Sequence, residues 1–207
     1  MNPSGDRFHF LHRWKLPDGG IYARLLSSNL TGNDLRLLHQ SGYVSHCCWK
    51  NDREIVGYTR PVTPISKVRR SAFLSAYFVR PLLPLYRQLM NRLPFIRQAL
   101  IKDNYFVIAD DGSGKVTPLS NCSFTGDGHC SFAPGDDRWL VTDTYENANS
   151  FRHLLLLDTM KDELLPIGEF YSEPATNSTG FRADLHPRWD FSGNLICVDS
   201  THEGERQ

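Results

Sequence analysis

Three histidines recur in one local pattern. His46, His129 and His186 are each followed three residues later by an aromatic residue: Trp49, Phe132 and Trp189. A polar turn comes next, and then a run of four residues: Ile55–Tyr58, Leu140–Asp143 and Ile196–Asp199. The last two runs end in Asp. Neutral imidazoles ligate Mn, Fe, Ni or Zn, and can take up a proton as a general base. Asp143, Asp184 and Asp199 would add oxygen ligands or orient the rings from behind. The candidate metal ligands are therefore His46, His129 and His186, and the expected cofactor is a divalent ion of that set. A second reading stays open beside this one. Each His then caps its own repeat by hydrogen-bonding a neighbouring Asp or a backbone group.

Those side chains need a repeating frame. His129 and His186 are 57 residues apart, and His46 and His129 are 83 apart. Taking out residues 60–101 brings the longer spacing back near the shorter, and periods of about 40–50 residues indicate propeller blades. Strand and turn signals fill the rest of each period. Phe8–Trp14, Ile21–Leu30 and Leu35–Leu38 read as three strands. The segment 139–168 repeats that layout, with strands around TDTY, FRHLLLLDT and LLPIG. With strands a to d numbered outward from an axis, the chain reads b-c-d, a-b-insert-c-d, a-b-c-d, a-b. The expected fold is all-β: a partial β-propeller of about three four-stranded blades with a short basic α-helical insertion. Residues 1–59 and 102–207 carry the blades, the second part ending mid-blade. A closed propeller has four to eight blades, so the expectation is a fragment, or a chain that a partner or missing blades complete. Antiparallel alternation places the three histidines, the ends of the b-strands and the root of the insertion on one face.

Residues 60–101 form the insertion. Leu82, Leu85, Leu89 and Leu93 share one face at helical spacing, and Pro81, Pro84 and Pro94 interrupt the run. The spacing predicts two short helices, Ser71–Val79 and Leu82–Leu93. Between residues 55 and 102 there are nine basic residues and no acidic one. Elsewhere the chain holds 14 basic and 23 acidic residues, a net charge of −9 against an overall balance of zero. Three readings of the insertion stand: a helical edge with a solvated basic face, a helix on an anionic membrane surface through 61–101, or a clamp for an acidic ligand. A nucleic-acid partner is not expected, because the basic stretch is rich in Leu and Pro and offers few stacking aromatics.

Five cysteines without a CxxC pair, and a polar N-terminus without an apolar leader, predict a reduced, cytoplasmic setting, with peripheral membrane contact through the insertion. No apolar run is long enough to span a bilayer. The sequons at Asn29, Asn121 and Asn177 are read as chance.

The segments DGHCSFAPGDDRWLVTDTY and DLHPRWDFSGNLICVDSTHEGERQ resemble the TolB-type, WD-like propeller repeat, with its His-Pro-x-aromatic core, Ser-Pro-Asp-Gly-like turn and apolar strand. More narrowly, they resemble the bacterial propeller family related to oligogalacturonate lyase, with FLHRW and VSHCCWKND a looser match. That resemblance implies a seven-bladed fold, a divalent metal held by histidines and a glutamine at the channel, and cleavage of uronate oligosaccharides by β-elimination. The matching metal positions are His129 and His186, with His46 a further candidate. The family's Gln-x-x-His-x-His pattern is absent; Asp184-Leu185-His186 is the nearest element. In that chemistry His129 and His186 are the catalytic candidates, and Arg182, with Arg188 beside it, would grip the uronate carboxylate.

Three functions remain open on sequence alone. They are a lyase-like enzyme on acidic oligosaccharide, a non-catalytic propeller binding carbohydrate or protein, and a peripheral membrane adaptor docked through its insertion.

Overall fold

The structure is a computed structural model. It describes residues 1–17, 19–62, 68, 71–92, 102–172 and 183–201, without the side chains of 72, 86, 87 and 89–91. The described residues are mostly β. Four antiparallel sheets follow one another along the chain. The first is β1 (Arg7–Lys15), β2 (Ile21–Asn29) and β3 (Arg36–Gly42). The second is β4 (Val44–Trp49), β5 (Glu54–Thr59), β6 (Asn104–Ala109) and β7 (Val116–Pro118). The third is β8 (Cys130–Phe132), β9 (Trp139–Asp143), β10 (Phe151–Asp158) and β11 (Glu163–Tyr171). A two-stranded sheet, β12 (Arg188–Trp189) and β13 (Ile196–Cys197), ends the described chain. Three, four, four and two strands is the order that the strand and turn signals give, although β3 begins and ends later than Leu35–Leu38.

Side-chain alternation stacks these sheets face to face. Successive residues of a strand point to opposite faces. In β5, Ile55 enters a core with Leu25, Leu38 and Ile108, while its neighbour Val56 enters a second core with Phe132, Leu140 and Leu157. In β9, Leu140 enters that second core and Val141 a third, with Leu154 and Leu185. Each inner strand is thus buried on both sides, which is why neither IVGYT nor LVTD alternates apolar residues with exposed polar ones; even Thr59, Thr142 and Asp143 are buried. Ile55, Val56, Leu140 and Val141 are all fully buried. Each such side chain contributes roughly 1.5–3 kcal/mol relative to exposure. Of the repeat aromatics, Trp49 and Phe132 are buried, and Trp189 donates from Nε1 to the Ser131 carbonyl at 3.1 Å, which joins the fourth sheet to the third.

A charged network ties the first sheet to the second. Arg7 Nε lies 2.6 Å from Asp110 Oδ2, and Arg7 Nη1 lies 2.7 Å from Asp34. Ser27 donates to Asp110 Oδ1 at 2.5 Å, and Arg36 donates to the Asp110 carbonyl at 2.6 Å. Arg7 and Asp110 are both buried, so each needs the other.

The insertion differs from the expected helix pair. The chain is continuously helical from Ala72 to Arg92, through a π-helical stretch, Ser75–Val79, into α1 (Arg80–Arg92). Arg80 N donates to Ser75 O five residues back. Widening the turn there gives the ring of Pro81 room against the carbonyl one turn earlier, and the helix runs on through Pro84. Leu93 and Pro94 lie outside the described residues. No helix among the described residues is long and apolar enough to cross a membrane.

Arg7→Met leaves Asp110 buried without its shortest charge partner. The expected loss is about 3 kcal/mol, seen as a lower urea midpoint at unchanged slope. A loss of a few tenths would mean that the network acts only as a surface pair.

Candidate metal centre on the histidine face

The three histidines come together. His46 and His129 have ring centroids 4.1 Å apart, and His129 and His186 are 3.9 Å apart. Tyr145 flanks the first two at 6.2 and 6.3 Å. None of the three sits in a regular ladder position. His46 is the extra residue of a β-bulge: Ser45 pairs with Tyr58 and Cys47 with Gly57, so His46 has no partner across β5. A bulge re-aims one side chain at the end of a strand. His129 immediately precedes β8. His186 lies two residues before β12 with φ of 42°, a left-handed conformation that a non-glycine residue rarely adopts. The expectation that all three begin a-strands therefore needs refining.

Asp143, at the end of β9, accounts for two of these departures. Its side chain is buried. Oδ1 accepts the backbone N–H of His129 at 2.5 Å, and Oδ2 accepts the backbone N–H of His186 at 3.1 Å. His129 Nδ1 also lies 3.0 Å from Oδ2. One carboxylate thus binds two backbone segments just ahead of their strands and fixes one imidazole. The approach requires glycine at 128, where a Cβ would lie 1.8 Å from the Asp143 carbonyl oxygen. From the second sheet, the buried Tyr105 hydroxyl bonds the Gly128 carbonyl at 2.7 Å and Thr142 Oγ1 at 2.8 Å, holding this loop from behind.

Every imidazole has a carboxylate at its Nδ1. His46 Nδ1 lies 3.0 Å from Asp127 Oδ1, and His186 Nδ1 lies 3.6 Å from Asp199 Oδ2 and 3.1 Å from the Asp184 carbonyl. A ring held at Nδ1 presents Nε2 for a metal or a proton. His129, Asp184 and His186 each offer a ligand atom, all within 4.8 Å of one another. Asp184 is anchored in turn by the buried Arg152, whose Nη1 lies 2.5 Å from Oδ1. Two imidazoles and a carboxylate suit Mn, Fe or Zn, and carboxylate-backed rings are the usual support for such a site. The donor set therefore fits a divalent ion.

The structure brings His46, His129 and His186 side by side, but the three-ligand group takes Asp184 in place of His46. Arg182 lies outside the described residues. Arg188 is exposed and engaged with Asp199 at 2.6 Å. Asp127, Arg152, Tyr105 and Gly128 were not singled out from the sequence. One signal for Asp127 was present: Asp127-Gly128-His129 and Asp184-Leu185-His186 share an Asp-x-His spacing. In each copy, that Asp reaches the His of the copy before it, Asp127 touching His46 and Asp184 grouping with His129.

Comparison with known proteins adds the fold. No protein-family model matches the chain, and no curated protein matches it. Among solved structures, the chain is similar to an oligogalacturonate lyase in complex with manganese, with a TM-score of 0.51 at 11% identity, over 97% of this chain and 46% of that one. An oligogalacturonate lyase from Vibrio parahaemolyticus gives a TM-score of 0.47 at 10% identity, over 94% and 44%. The chain thus spans a little under half the length of these lyases. The first likeness shows a shared fold, with propeller proteins as the neighbours.

Burial opposes protonation of His129, but the Asp143 hydrogen bond and charge outweigh it, with Asp184 and Asp127 adding to them. Its pKa is raised above the ordinary 6.5. A raised folded-state value stabilises the fold in full below about pH 6.5, and that contribution is lost as pH rises through the folded value. Titration of the His129 ring by NMR in metal-free protein should show the raised midpoint. Asp143→Asn should lower it and remove that part of the pH dependence of thermal stability. An unmoved midpoint in the variant would show that Asp143 does not govern the ring.

Proposed function

We propose that the four sheets are consecutive blades of a TolB-type propeller, and that the protein is a lyase-like enzyme acting on uronate-containing oligosaccharide by metal-assisted β-elimination. The observation that carries this reading is the His129, Asp184 and His186 group, whose ligand atoms lie within 4.8 Å of one another. The fold likeness to a lyase described as a manganese complex supports it. His129, His186 and Asp184 would hold the ion, manganese being the first candidate. Bound there, the ion would neutralise the uronate carboxylate and so acidify the adjacent C5 proton.

The remaining steps fall to the chain. Asp143 and Arg152 keep the ligating groups in place. The base would take the C5 proton, the electron pair would form the C4–C5 double bond, and the C4–O bond would break, the leaving oxygen taking its proton from the protonated base or from solvent. His129 and His186 are committed to the ion in this arrangement. The proton therefore falls to His46, which stacks on His129, lies outside the ligand group, and has Asp127 behind its Nδ1. Arg182 keeps its proposed part as carboxylate clamp.

Elemental analysis of the purified chain tests the site. The expected result is a stoichiometric divalent metal, absent from His129→Ala/His186→Ala and held at least about tenfold more weakly by Asp184→Asn. Ultraviolet absorbance of an unsaturated uronate product should then appear with oligogalacturonate and be lost in His46→Ala at unchanged metal content. A folded wild type without metal or product would overturn the lyase reading, and would make the histidines structural caps of a carbohydrate- or protein-binding propeller.

A further inference from the structure

The helical insertion carries a surface that the proposed lyase chemistry does not use. Phe73, Tyr77, Phe78, Leu82 and Leu85 are 64%, 67%, 59%, 62% and 65% exposed. Phe73 and Tyr77 rest on each other with centroids 4.7 Å apart. The segment is not loose on every side, because Ser75, within the same turns, is fully buried. Ser75 is turned away from solvent, whereas the large apolar groups beside it are presented to solvent. Leaving five such side chains exposed on one short helical segment costs free energy unless something covers them.

Charge identifies the cover. Arg80 and Arg92, on the same helical segment, are exposed. No acidic residue occurs anywhere from 55 to 102, against nine basic ones, while the rest of the chain is net −9. The body would repel an anionic surface, and the insertion alone would attract it. Apolar groups flanked by unpaired cations, with Phe and Tyr among them, match the interface of an anionic bilayer, where rings sit at headgroup depth. The insertion is also rooted on the histidine face. It leaves at the end of β5, where Arg60 pairs with Asp103 at 2.8 Å and lies over the Tyr43 ring at 4.5 Å.

We propose that residues 72–92 form an in-plane docking helix for an anionic lipid surface, with Phe73, Tyr77, Phe78, Leu82 and Leu85 entering the interface and Arg80 and Arg92 meeting the headgroups. A cation near such a surface is worth roughly fivefold in binding, and salt screens it.

Flotation of the full chain with vesicles of phosphatidylcholine, alone or mixed with phosphatidylserine, tests this. The wild type should float with the mixed vesicles only, and less as salt rises. Arg80→Glu/Arg92→Glu should bind at least about tenfold more weakly, and Phe73→Ser/Tyr77→Ser/Leu82→Ser/Leu85→Ser should fail to float. All these positions are exposed, so circular dichroism should match the wild type in both variants. No flotation with mixed vesicles, equal flotation with neutral ones, or unaltered flotation of both variants would overturn the proposal. Competition by soluble glycerophosphoserine would also overturn it, in favour of a small-anion site. Capture by poly-glutamate without vesicle binding, insensitive to the four Ser substitutions, would overturn it in favour of an acidic protein partner.

Discussion

The carboxylate of Asp143 is the interaction on which the candidate site depends. It is buried, it accepts the backbone N–H of two histidines from two different sheets, and it holds the ring of one of them. A buried carboxylate is costly unless its oxygens are satisfied. Here both oxygens are: His129 reaches them from the third sheet's own leading segment, and the His186 N–H arrives only when the fourth sheet docks. Docking and site geometry are therefore one event. If the fourth sheet moves away, Asp143 loses a donor and His129 loses the company of His186 and Asp184 together. The left-handed backbone at His186 fits the same picture, since a strained conformation persists only where its surroundings over-determine it.

Face-to-face stacking explains why the site recurs rather than occurring once. Each sheet presents the start of its innermost strand at one end of the stack, and each core sits between two neighbours. A side chain just before such a strand lies beside its counterpart in the next sheet. The Asp-x-His spacing uses this offset: the Asp of one copy meets the His of the copy before. Three imidazoles and their carboxylates thus form a row, and His129, in the middle, feels Asp143, Asp184 and Asp127 together.

Much of this was legible in the sequence because it is periodic. Three histidines at the same offset from an aromatic, with apolar runs of four between turns, place the strands and their sheets. The Leu140–Asp143 run shows its alternation only through the two cores it feeds, because both of its faces are buried. What could not be read depends on contacts between copies. The bulge at His46 is a register shift, and one extra residue in a strand leaves no mark in composition. The exchange of His46 for Asp184 in the ligand group follows from that shift and from Arg152, a buried cation in a different strand. Pro81 and Pro84 read locally as breaks, but the helix runs through both, with a π-helical stretch just before Pro81 that no local propensity records.

In the proposed lyase, charge at the histidine face would order the binding events. Asp127, Asp143, Asp184 and Asp199 crowd around three imidazoles. Among the described residues, the guanidinium groups paired with these carboxylates are Arg152, on Asp184, and Arg188, on Asp199. That balance favours a cation and opposes a uronate, whose carboxylate would meet fixed negative charge at short range. A divalent ion reverses the sign locally, because in such a site the ion is the largest charge present. The acid-free, basic insertion rooted beside this face offsets the same repulsion at longer range, within the reach that salt allows. Under the proposed lyase reading, an acidic sugar would therefore be retained only after the ion is in place. The carboxylates, ill suited by themselves to an anionic substrate, would then be the groups that bring in the cation able to hold it.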